Sequence, residues 1–364
     1  MNRSGAEGVE SCQALCRRKY VPRPSLLDVG DQSIKAGTSF SVVSYNILAE
    51  CHRQKWDYSY TAEEFLVQEY RHALLMKELQ QLDGDVVCLQ EVNPGYFNDA
   101  LFPAMRMLGY DGLLKRRTKE EYDEGEATFF KTDLFELDSS RAVSLTEVTW
   151  REMERRGLSP DIEMAVNKYL DRADVVLVTR LRCKGSSRVV TVGNVHLCWE
   201  DNLHPDVKAV QAACAIKEVV GMAGSDGAHI ICGDFNSEWS SPIYQLVLDG
   251  YLSDSSIATL QGVQRLELND GAKKSLVEHY EAAFHHQASN LKSAYASVLG
   301  AEPEMTCYTD QMWMLDYIFY DSNTVIPSSV LAHVEKSIIV GTGGLPSKEF
   351  PSDHLSLKAS FTFL

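Results

Sequence analysis

Apolar segments that end in polar residues recur along the whole chain, and they limit the folds that it can adopt. Each segment is short, rich in branched aliphatic residues and bounded by turn-forming residues, as is typical of buried strands. The polar residues at these ends are Asn46, Glu91, His196, Asp234 with Asn236, Asp316, and Asp353 with His354. The pattern therefore indicates a sheet protein with polar groups gathered at its strand ends.

Strand-like segments outnumber helical ones, and the helical segments fall between pairs of strands. The predicted strands are 40–45, 85–89, 126–130, 175–181, 188–195, 230–232, 315–320 and 355–363. Helical spacing predicts helices near 65–82, 97–108 and 207–220, the first opened by a capping box of Thr61 and Glu64. The order of these segments favours a mixed α/β architecture.

Length and composition predict one large domain. The chain has 364 residues, of which 45% are hydrophobic and 24% charged, so it can bury a full core. We expect a poorly structured lead-in over 1–38 and a catalytic domain over 39–364. The sequence has no apolar run near the roughly 20 residues that span a bilayer, and Glu7 and Glu10 argue against a transit peptide.

The nine cysteines are scattered, odd in number and often placed inside apolar segments. This usage favours buried thiols in a reducing compartment. We therefore expect a cytoplasmic protein that binds no membrane, with the nucleus and the mitochondrion as alternatives.

The strand-end residues are of the types that metal-assisted phosphoryl transfer needs. Carboxylate and amide oxygens suit Mg²⁺, and imidazoles can contact phosphoryl oxygens. A carboxylate at one strand end is more often a turn former or a helix cap, so the inference depends on the whole set. The net charge of −16 argues against a long basic nucleic-acid groove.

The segments occur as an ordered set of motifs: Ser-Tyr-Asn-Ile-Leu, Leu-Gln-Glu-Val, Asn-Val-His-Leu, Gly-Asp-Phe-Asn-Ser, Leu-Asp-Tyr-Ile-Phe and Ser-Asp-His. This set resembles the endonuclease/exonuclease/phosphatase superfamily. It is most similar to the branch that holds the carbon-catabolite-repressor-type deadenylases, nocturnin, the Angel proteins and the 2′-phosphodiesterase. The resemblance implies a DNase I-like four-layer α/β sandwich, with two mixed, mainly antiparallel sheets packed face to face and helices outside.

The resemblance also implies a metal site. Glu91 would be the principal ligand of Mg²⁺, for which Mn²⁺ can substitute. Asn46 and Asp353 would help to hold the metal or its bound water.

Five further residues would carry the chemistry. Asp234 would orient or deprotonate the attacking water, and Asn236 would hold that water or a phosphate oxygen. His354, oriented by Asp316, would face the phosphoryl group as a cation. His196 would hydrogen-bond the phosphate or assist the leaving group. The other histidines, His52 among them, match no motif and are assigned to packing or the surface.

The branch's adenine clamp is altered in this chain. The loop 199–206 has a displaced proline, Gln311 stands at the aromatic position, and Thr306 lies near the asparagine position. Trp199 and Tyr308 offer alternative stacking faces, and Gln311 lies beside them. Trp313 is as much a core candidate as a stacking one.

A basic cluster before Gly125 is the candidate guide for a short phosphate chain. Arg116 and Arg117 are its central residues, although acidic residues follow at once and a solvated turn is the alternative.

The favoured function is a deadenylase-like 3′-5′ exoribonuclease that releases nucleoside monophosphates and acts as a monomer on RNA or short oligonucleotides. The alternatives are cleavage of 2′,5′-linked oligoadenylate, removal of a 2′-phosphate, or opening of a terminal cyclic phosphate. An inactive RNA-binding protein is the alternative of a different class.

Overall fold

The computed structural model describes residues 18–24, 39–154, 159–199, 204–224, 227–288 and 290–364. Its strands are β1 (Tyr20–Pro22), β2 (Ser39–Asn46), β3 (Val86–Gln90), β4 (Tyr110–Arg116), β5 (Gly125–Lys131), β6 (Phe135–Ser144), β7 (Val175–Cys183), β8 (Val189–His196), β9 (Ala228–Asp234), β10 (Gln264–Glu267), β11 (Lys273–Ser275), β12 (Leu291–Ser293), β13 (Cys307–Tyr308), β14 (Met312–Trp313), β15 (Asp316–Asp321), β16 (Val325–Leu331) and β17 (Leu357–Phe363).

The helices are shorter on average than the sequence pattern predicted. They are α1 (Glu50–Arg53), α2 (Gln68–Leu82), α3 (Pro94–Tyr96), α4 (Phe102–Met107), α5 (Leu145–Glu154), α6 (Pro160–Leu170), α7 (Pro205–Ala223), α8 (Pro242–Asp249), α9 (Asp254–Gln261), α10 (Leu276–Tyr280), α11 (Ala294–Leu299) and α12 (Lys336–Gly341). Single helical turns of other types occupy Glu63–Leu66, Phe97–Leu101 and Glu281–Ala283.

Two large mixed sheets form the centre of the fold. One has the strand order β1-β16-β17-β2-β3-β5-β4, and the other has the order β12-β15-β9-β8-β7-β6. Most neighbouring strands are antiparallel, whereas β2 pairs with β3, and β8 with β9, in parallel. Two short hairpins, β10-β11 and β13-β14, lie outside these sheets.

Successive residues of the central strands point to opposite sides of each sheet, and both sides are buried. Val42 of β2 packs in the core between the sheets, whereas Val43 packs under the helices outside. Helices α2 and α4 cover the outer face of the first sheet, and α7 and α8 cover that of the second. The predicted four-layer sandwich is confirmed.

A buried amide pair joins the two sheets near the ends of strands β3 and β8. Gln90 Nε2 donates to Asn194 Oδ1 at 2.7 Å. Asn194 Nδ2 in turn donates to the backbone oxygens of Leu89, at 3.0 Å, and Ala127, at 2.9 Å. Both side chains are fully buried, so each of these bonds forms away from water.

The parallel pairs place the candidate site at one rim of the sandwich. Asn46 at the end of β2 lies beside Gln90 at the end of β3, and His196 at the end of β8 lies beside Asp234 at the end of β9. Asp316, at the start of antiparallel β15, is also paired with Asp234. The register of the two sheets therefore brings these polar residues to the same edge.

One local prediction was wrong. Thr61 does not cap a helix, because its hydroxyl donates to the backbone oxygen of Pro346 at 2.7 Å, and α2 begins only at Gln68. The predicted lead-in contains a strand, since β1 pairs with β16 and Arg18 hydrogen-bonds the side chain of Ser356 at 2.9 Å. Residues 1–17 and 25–38 lie outside the described part of the chain.

No helix in the described ranges combines the length and the apolar character that a bilayer crossing requires.

Candidate active site

A cavity of about 460 Å³ opens at the rim where the strand ends meet. Six of the eight strand-end residues line it, namely Glu91, His196, Asp234, Asn236, Asp353 and His354. The other two stand directly behind them, Asn46 in contact with Glu91 and Asp316 in contact with His354. The structure thus brings together all eight residues that the sequence motifs single out.

Glu91 follows β3 in the left-handed backbone region, with φ of 59°. Such a conformation is uncommon for a residue with a side chain and often marks a functional site. The carboxylate accepts Asn46 Nδ2 on Oε1 at 2.9 Å and the backbone N–H of Ala49 on Oε2 at 2.8 Å. These two bonds fix its orientation at the cavity wall.

Asp353 is held from behind by the phenol of Tyr58. The Tyr58 hydroxyl donates to Asp353 Oδ2 at 2.7 Å, and both residues are buried. Ser352 lies beside them and donates to the backbone oxygen of Asn46 at 2.7 Å. The segment before β17 is therefore tied to the end of β2.

Asp234 is the centre of the cluster. Its Oδ2 accepts Asn46 Nδ2 at 3.1 Å, and its Oδ1 accepts the backbone N–H of Asn236 at 2.8 Å. Burial, and then the negative charge of Asp316, raise the pKa of Asp234 to about 7. Loss of contact with water is thus the main reason that the charged form of Asp234 is disfavoured, and the nearby Asp316 carboxylate adds to it.

The chemistry of these carboxylates tests whether the residues fit a divalent cation. Glu91 and Asp353 offer hard oxygen donors in one cavity, and Asp234 adds a third carboxylate to the same lining. Oxygen donors of this kind suit a hard divalent cation. The residues present therefore fit a divalent metal ion.

His354 lies between two carboxylates. Its Nδ1 is 2.8 Å from Asp316 Oδ2, and its Nε2 is 3.6 Å from Asp234 Oδ2. Burial alone would lower the pKa of His354, but Asp316 and the other anionic neighbours raise it well above the ordinary value. The surroundings of His354 therefore favour the charged form of its ring.

His196 is in the opposite state. Its Nε2 lies 3.5 Å from Asp234 Oδ2, and no described residue hydrogen-bonds its Nδ1. Burial, followed by the positive charge of Arg117, lowers the pKa of His196 well below its usual range. The surroundings of the two rings therefore favour opposite states, charged for His354 and neutral for His196.

The sequence motifs did not single out His52 and Trp56, which line the cavity. Lys208 also lines it and donates from Nζ to the backbone oxygen of Asn236 at 2.6 Å. His52, which the sequence assigned to packing or the surface, is buried, with Nε2 3.4 Å from Glu124 Oε1. Burial opposes its charged form, whereas Glu91 and Glu124 raise the pKa of His52 overall.

The predicted stacking residues lie in different places. Trp199 lines the cavity, and so does Trp313. Tyr308 is outside the lining and packs edge-on against Tyr60, with ring centroids 5.3 Å apart. Gln311 lies in the turn of the β13-β14 hairpin, exposed and also outside the lining. Residues 200–203, part of the altered clamp loop, lie outside the described residues.

The predicted role of Arg117 in guiding phosphate is wrong. The Arg117 side chain is 2% exposed, and it forms ion pairs with Glu124 and Asp174. The Arg117 guanidinium is thus buried and paired with two carboxylates inside the protein. Arg116 does reach the surface, where it pairs with Asp123 at 3.4 Å.

The chain belongs to the Endonuclease/Exonuclease/phosphatase family, whose sequence pattern it matches over residues 43–354. It is 30% identical over 349 residues to the CCR4-Not complex 3′-5′-exoribonuclease subunit Ccr4 of Candida albicans, covering 90% of this chain and 41% of that protein. It is 32% identical to human 2′,5′-phosphodiesterase 12, covering 86% of this chain and 50% of the relative. The chain thus spans about half the length of these curated relatives.

The solved structures agree with this assignment. The crystal structure of ANGEL2, a 2′,3′-cyclic phosphatase, in complex with adenosine-2′,3′-vanadate has a TM-score of 0.73 and 25% identity, covering 95% of this chain and 99% of that one. The human nocturnin catalytic domain matches with a TM-score of 0.63 and 22% identity, covering 96% and 98%. The resemblance to this branch is confirmed.

Proposed function

We propose that the protein is a divalent-metal-dependent phosphodiesterase that removes nucleotides from the 3′ end of RNA. One observation carries the proposal: Asp316, His354 and Asp234 form a continuous polar chain, and Asn46 links Asp234 to Glu91 in the same cavity. Such an arrangement combines a cationic imidazole, a carboxylate base and metal-type oxygen donors around one volume.

The metal would be held by Glu91, Asn46 and Asp353. Mg²⁺, or Mn²⁺ in its place, would supply charge neutralisation at the phosphoryl oxygens when bound. Tyr58 holds Asp353 in the orientation that a ligand needs, and Ala49 does the same for Glu91. These outer contacts resemble those that support metal ligands in proteins generally.

Asp234 would accept the proton of the attacking water. Its carboxylate lines the cavity and is held there by the Asn46 side chain at 3.1 Å and the backbone N–H of Asn236 at 2.8 Å. Asn236 would position that water, since its side chain is fixed by donation to the backbone oxygen of Leu197 at 3.0 Å.

The two histidines would contact the phosphoryl group in different protonation states. His354 would stabilise the developing negative charge as a cation, with Asp316 holding its ring. His196 would donate a hydrogen bond as a neutral imidazole and assist the leaving oxygen. The ring lies at the cavity, with Nε2 3.5 Å from Asp234 Oδ2, which supports a contact between His196 and a phosphoryl group bound there.

A second candidate is chemistry on a short substrate: cleavage of 2′,5′-linked oligoadenylate, 2′-phosphate removal, or opening of a terminal cyclic phosphate. The burial of Arg117 favours it, because that cation is no longer available to hold a phosphate chain. Trp199, Tyr308, Gln311 and Arg116 remain proposed substrate contacts, and among them Trp199 has the support of lining the cavity.

We also propose that the protein acts as a monomer in the cytoplasm. The described cysteines are all free, and all but Cys51 are buried, which supports a reducing compartment.

The deciding experiment is a substrate panel run with and without Mg²⁺. It contains 3′,5′-linked oligoadenylate, mixed-sequence RNA, 2′,5′-linked oligoadenylate and RNA ending in a 2′,3′-cyclic phosphate. Mononucleotide release from the 3′,5′-linked substrates, lost in EDTA and in Glu91→Ala, is the expected result. Turnover of only the other substrates would establish the second candidate. Binding without any turnover would establish the RNA-binding alternative.

A further inference from the structure

A tryptophan on the turn after α1 lines the active-site cavity beside the catalytic cluster. Trp56 is 44% exposed, although a residue of this size usually buries most of its surface in a core. Its backbone N–H donates to the oxygen of His52 at 3.0 Å, which is helical spacing. His52 and Trp56 thus lie one turn apart, and both side chains border the cavity.

The indole of Trp56 is held in place without being covered. Its ring centroid is 5.1 Å from that of Trp199, and the two ring planes are inclined at 88°. A perpendicular contact can cover only one face of Trp56. Lys55 Nζ lies 4.3 Å from the centroid of Trp199, so the cation packs on the neighbouring ring.

Rigid aromatic surface beside a phosphate-binding centre suits a nucleobase. Every base has a π face, and stacking on an aromatic side chain does not depend on which base is presented. This chain lacks the usual residues of the adenine clamp, but Trp56 offers an exposed aromatic surface in the cavity lining. Trp56 lies on a different element from the predicted stacking residues. Lys55, which packs on the neighbouring ring of Trp199, adds positive charge close by.

We propose that Trp56 is the stacking platform for a base of the substrate and that it makes the enzyme general for nucleotides of any base. This deepens the proposed function and depends on it for the identity of the reaction. Trp56 is a specificity-determining residue: it selects substrates that carry a base over phosphoesters that lack one, and it does not distinguish adenine from uracil.

The test measures turnover and binding separately. Short oligoadenylate, oligouridylate and an abasic oligonucleotide of equal length are compared in wild type, Trp56→Ala and Trp56→Phe. Trp56→Ala should raise KM for both base-containing substrates between about 5-fold and 100-fold, the span of one base–aromatic stack. We expect kcat to change less than about twofold, the abasic substrate to be unaffected, and Trp56→Phe to recover most of the loss.

Trp239 provides the matched control. It is 59% exposed and lies outside the cavity lining, so Trp239→Ala should behave as wild type. Equal losses on abasic and base-containing substrates, or a loss confined to oligoadenylate, would overturn the stacking proposal.

Fluorescence anisotropy of the labelled oligonucleotides in the Glu91→Ala background gives the second readout. Binding can be measured even if no oligonucleotide is hydrolysed, so this readout tests base stacking on Trp56 separately from the proposed exonuclease reaction. Base-dependent binding that needs Trp56, without any hydrolysis, would contradict the proposed reaction and support the stacking platform. The absence of both binding and turnover would reject both.

Discussion

Asp316 Oδ2 lies 2.8 Å from His354 Nδ1, although 38 residues separate them in the chain. This contact fixes the ring orientation of His354 and keeps its Nε2 directed toward Asp234, at 3.6 Å. Because both residues are buried, the carboxylate acts on the imidazole with little screening by water.

Asp316→Asn should therefore lower kcat about a hundredfold or more, because the imidazole loses its anionic partner and its fixed orientation. KM should change much less. Steady-state kinetics check this, with Asp321→Asn as the control: Asp321 lies at the far end of β15 and accepts a hydrogen bond from Thr324 at 2.7 Å. Equal effects of the two substitutions would contradict a specific role of Asp316.

The two histidines should titrate on opposite sides of their ordinary range. The pKa of His354 is raised, so its ring should stay protonated as the pH rises through neutrality. The pKa of His196 is lowered by burial, so its ring should stay neutral as the pH falls below 6.5, the ordinary value. Imidazole NMR of the metal-free protein measures both, and Asp316→Asn should bring the pKa of His354 down. A neutral His354 at pH 7 would contradict the assignment.

Tyr58→Phe should weaken Mg²⁺ binding without removing a ligand. The lost hydroxyl leaves Asp353 Oδ2 without its 2.7 Å donor, and loss of such an outer contact typically costs about 10- to 100-fold in metal affinity. The Mg²⁺ dependence of turnover and calorimetric titration measure the change. Tyr60→Phe is the control, because that hydroxyl donates to the backbone oxygen of Leu345 at 2.8 Å. Unchanged Mg²⁺ affinity in Tyr58→Phe would remove Asp353 from the metal site.

Arg117→Ala should destabilise the protein strongly. It would leave Glu124 and Asp174 buried without their cation, a change that typically costs about 3–5 kcal/mol. The surface neighbour Arg116 gives the matched control, and Arg116→Ala should alter the free energy of unfolding by less than about 0.5 kcal/mol. Urea denaturation compares the two. Similar stability of both variants would mean that the buried ion pairs contribute little.

Gly233→Ala should prevent normal packing at the end of β9. Gly233 has φ of 143°, and an added Cβ would stand 1.8 Å from the backbone oxygen of Val195. The expected loss of unfolding free energy is at least ~2 kcal/mol. Gly221→Ala is the control, because a Cβ there meets nothing within 4 Å and lies in helix α7. Thermal unfolding distinguishes the two outcomes.

The eight strand-end residues could be found from the sequence because each lies at or close to one end of a strand with a clear apolar pattern. The parallel pairs β2-β3 and β8-β9 then bring their ends to one rim, as the resemblance to the family implied. The four layers followed from the same pattern, since strands buried on both sides need covering elements on each face.

Other residues could not be located in this way because tertiary contacts decide their environment. The sequence around Arg117 predicts a surface cation. In the fold, Arg117 is buried, because it forms ion pairs with Glu124 and with Asp174, which lies 57 residues further along the chain. His52 and Trp56 belong to one helical turn, which is too short to show a periodic pattern. Thr61 has the spacing of a capping residue, yet Pro346 takes its hydrogen bond.

The amide pair between the sheets has a consequence for evolution and engineering of this protein. Glu91 is carried by one sheet and Asp234 by the other, so any sliding of the sheets would separate the two halves of the reaction centre. Gln90 and Asn194 bond across that interface next to Glu91 and two residues before His196. Substitutions at the rim can therefore change which substrate is preferred. The positions of Glu91 and Asp234 relative to each other, on which the proposed hydrolysis depends, are supported by two amide side chains outside the cavity lining.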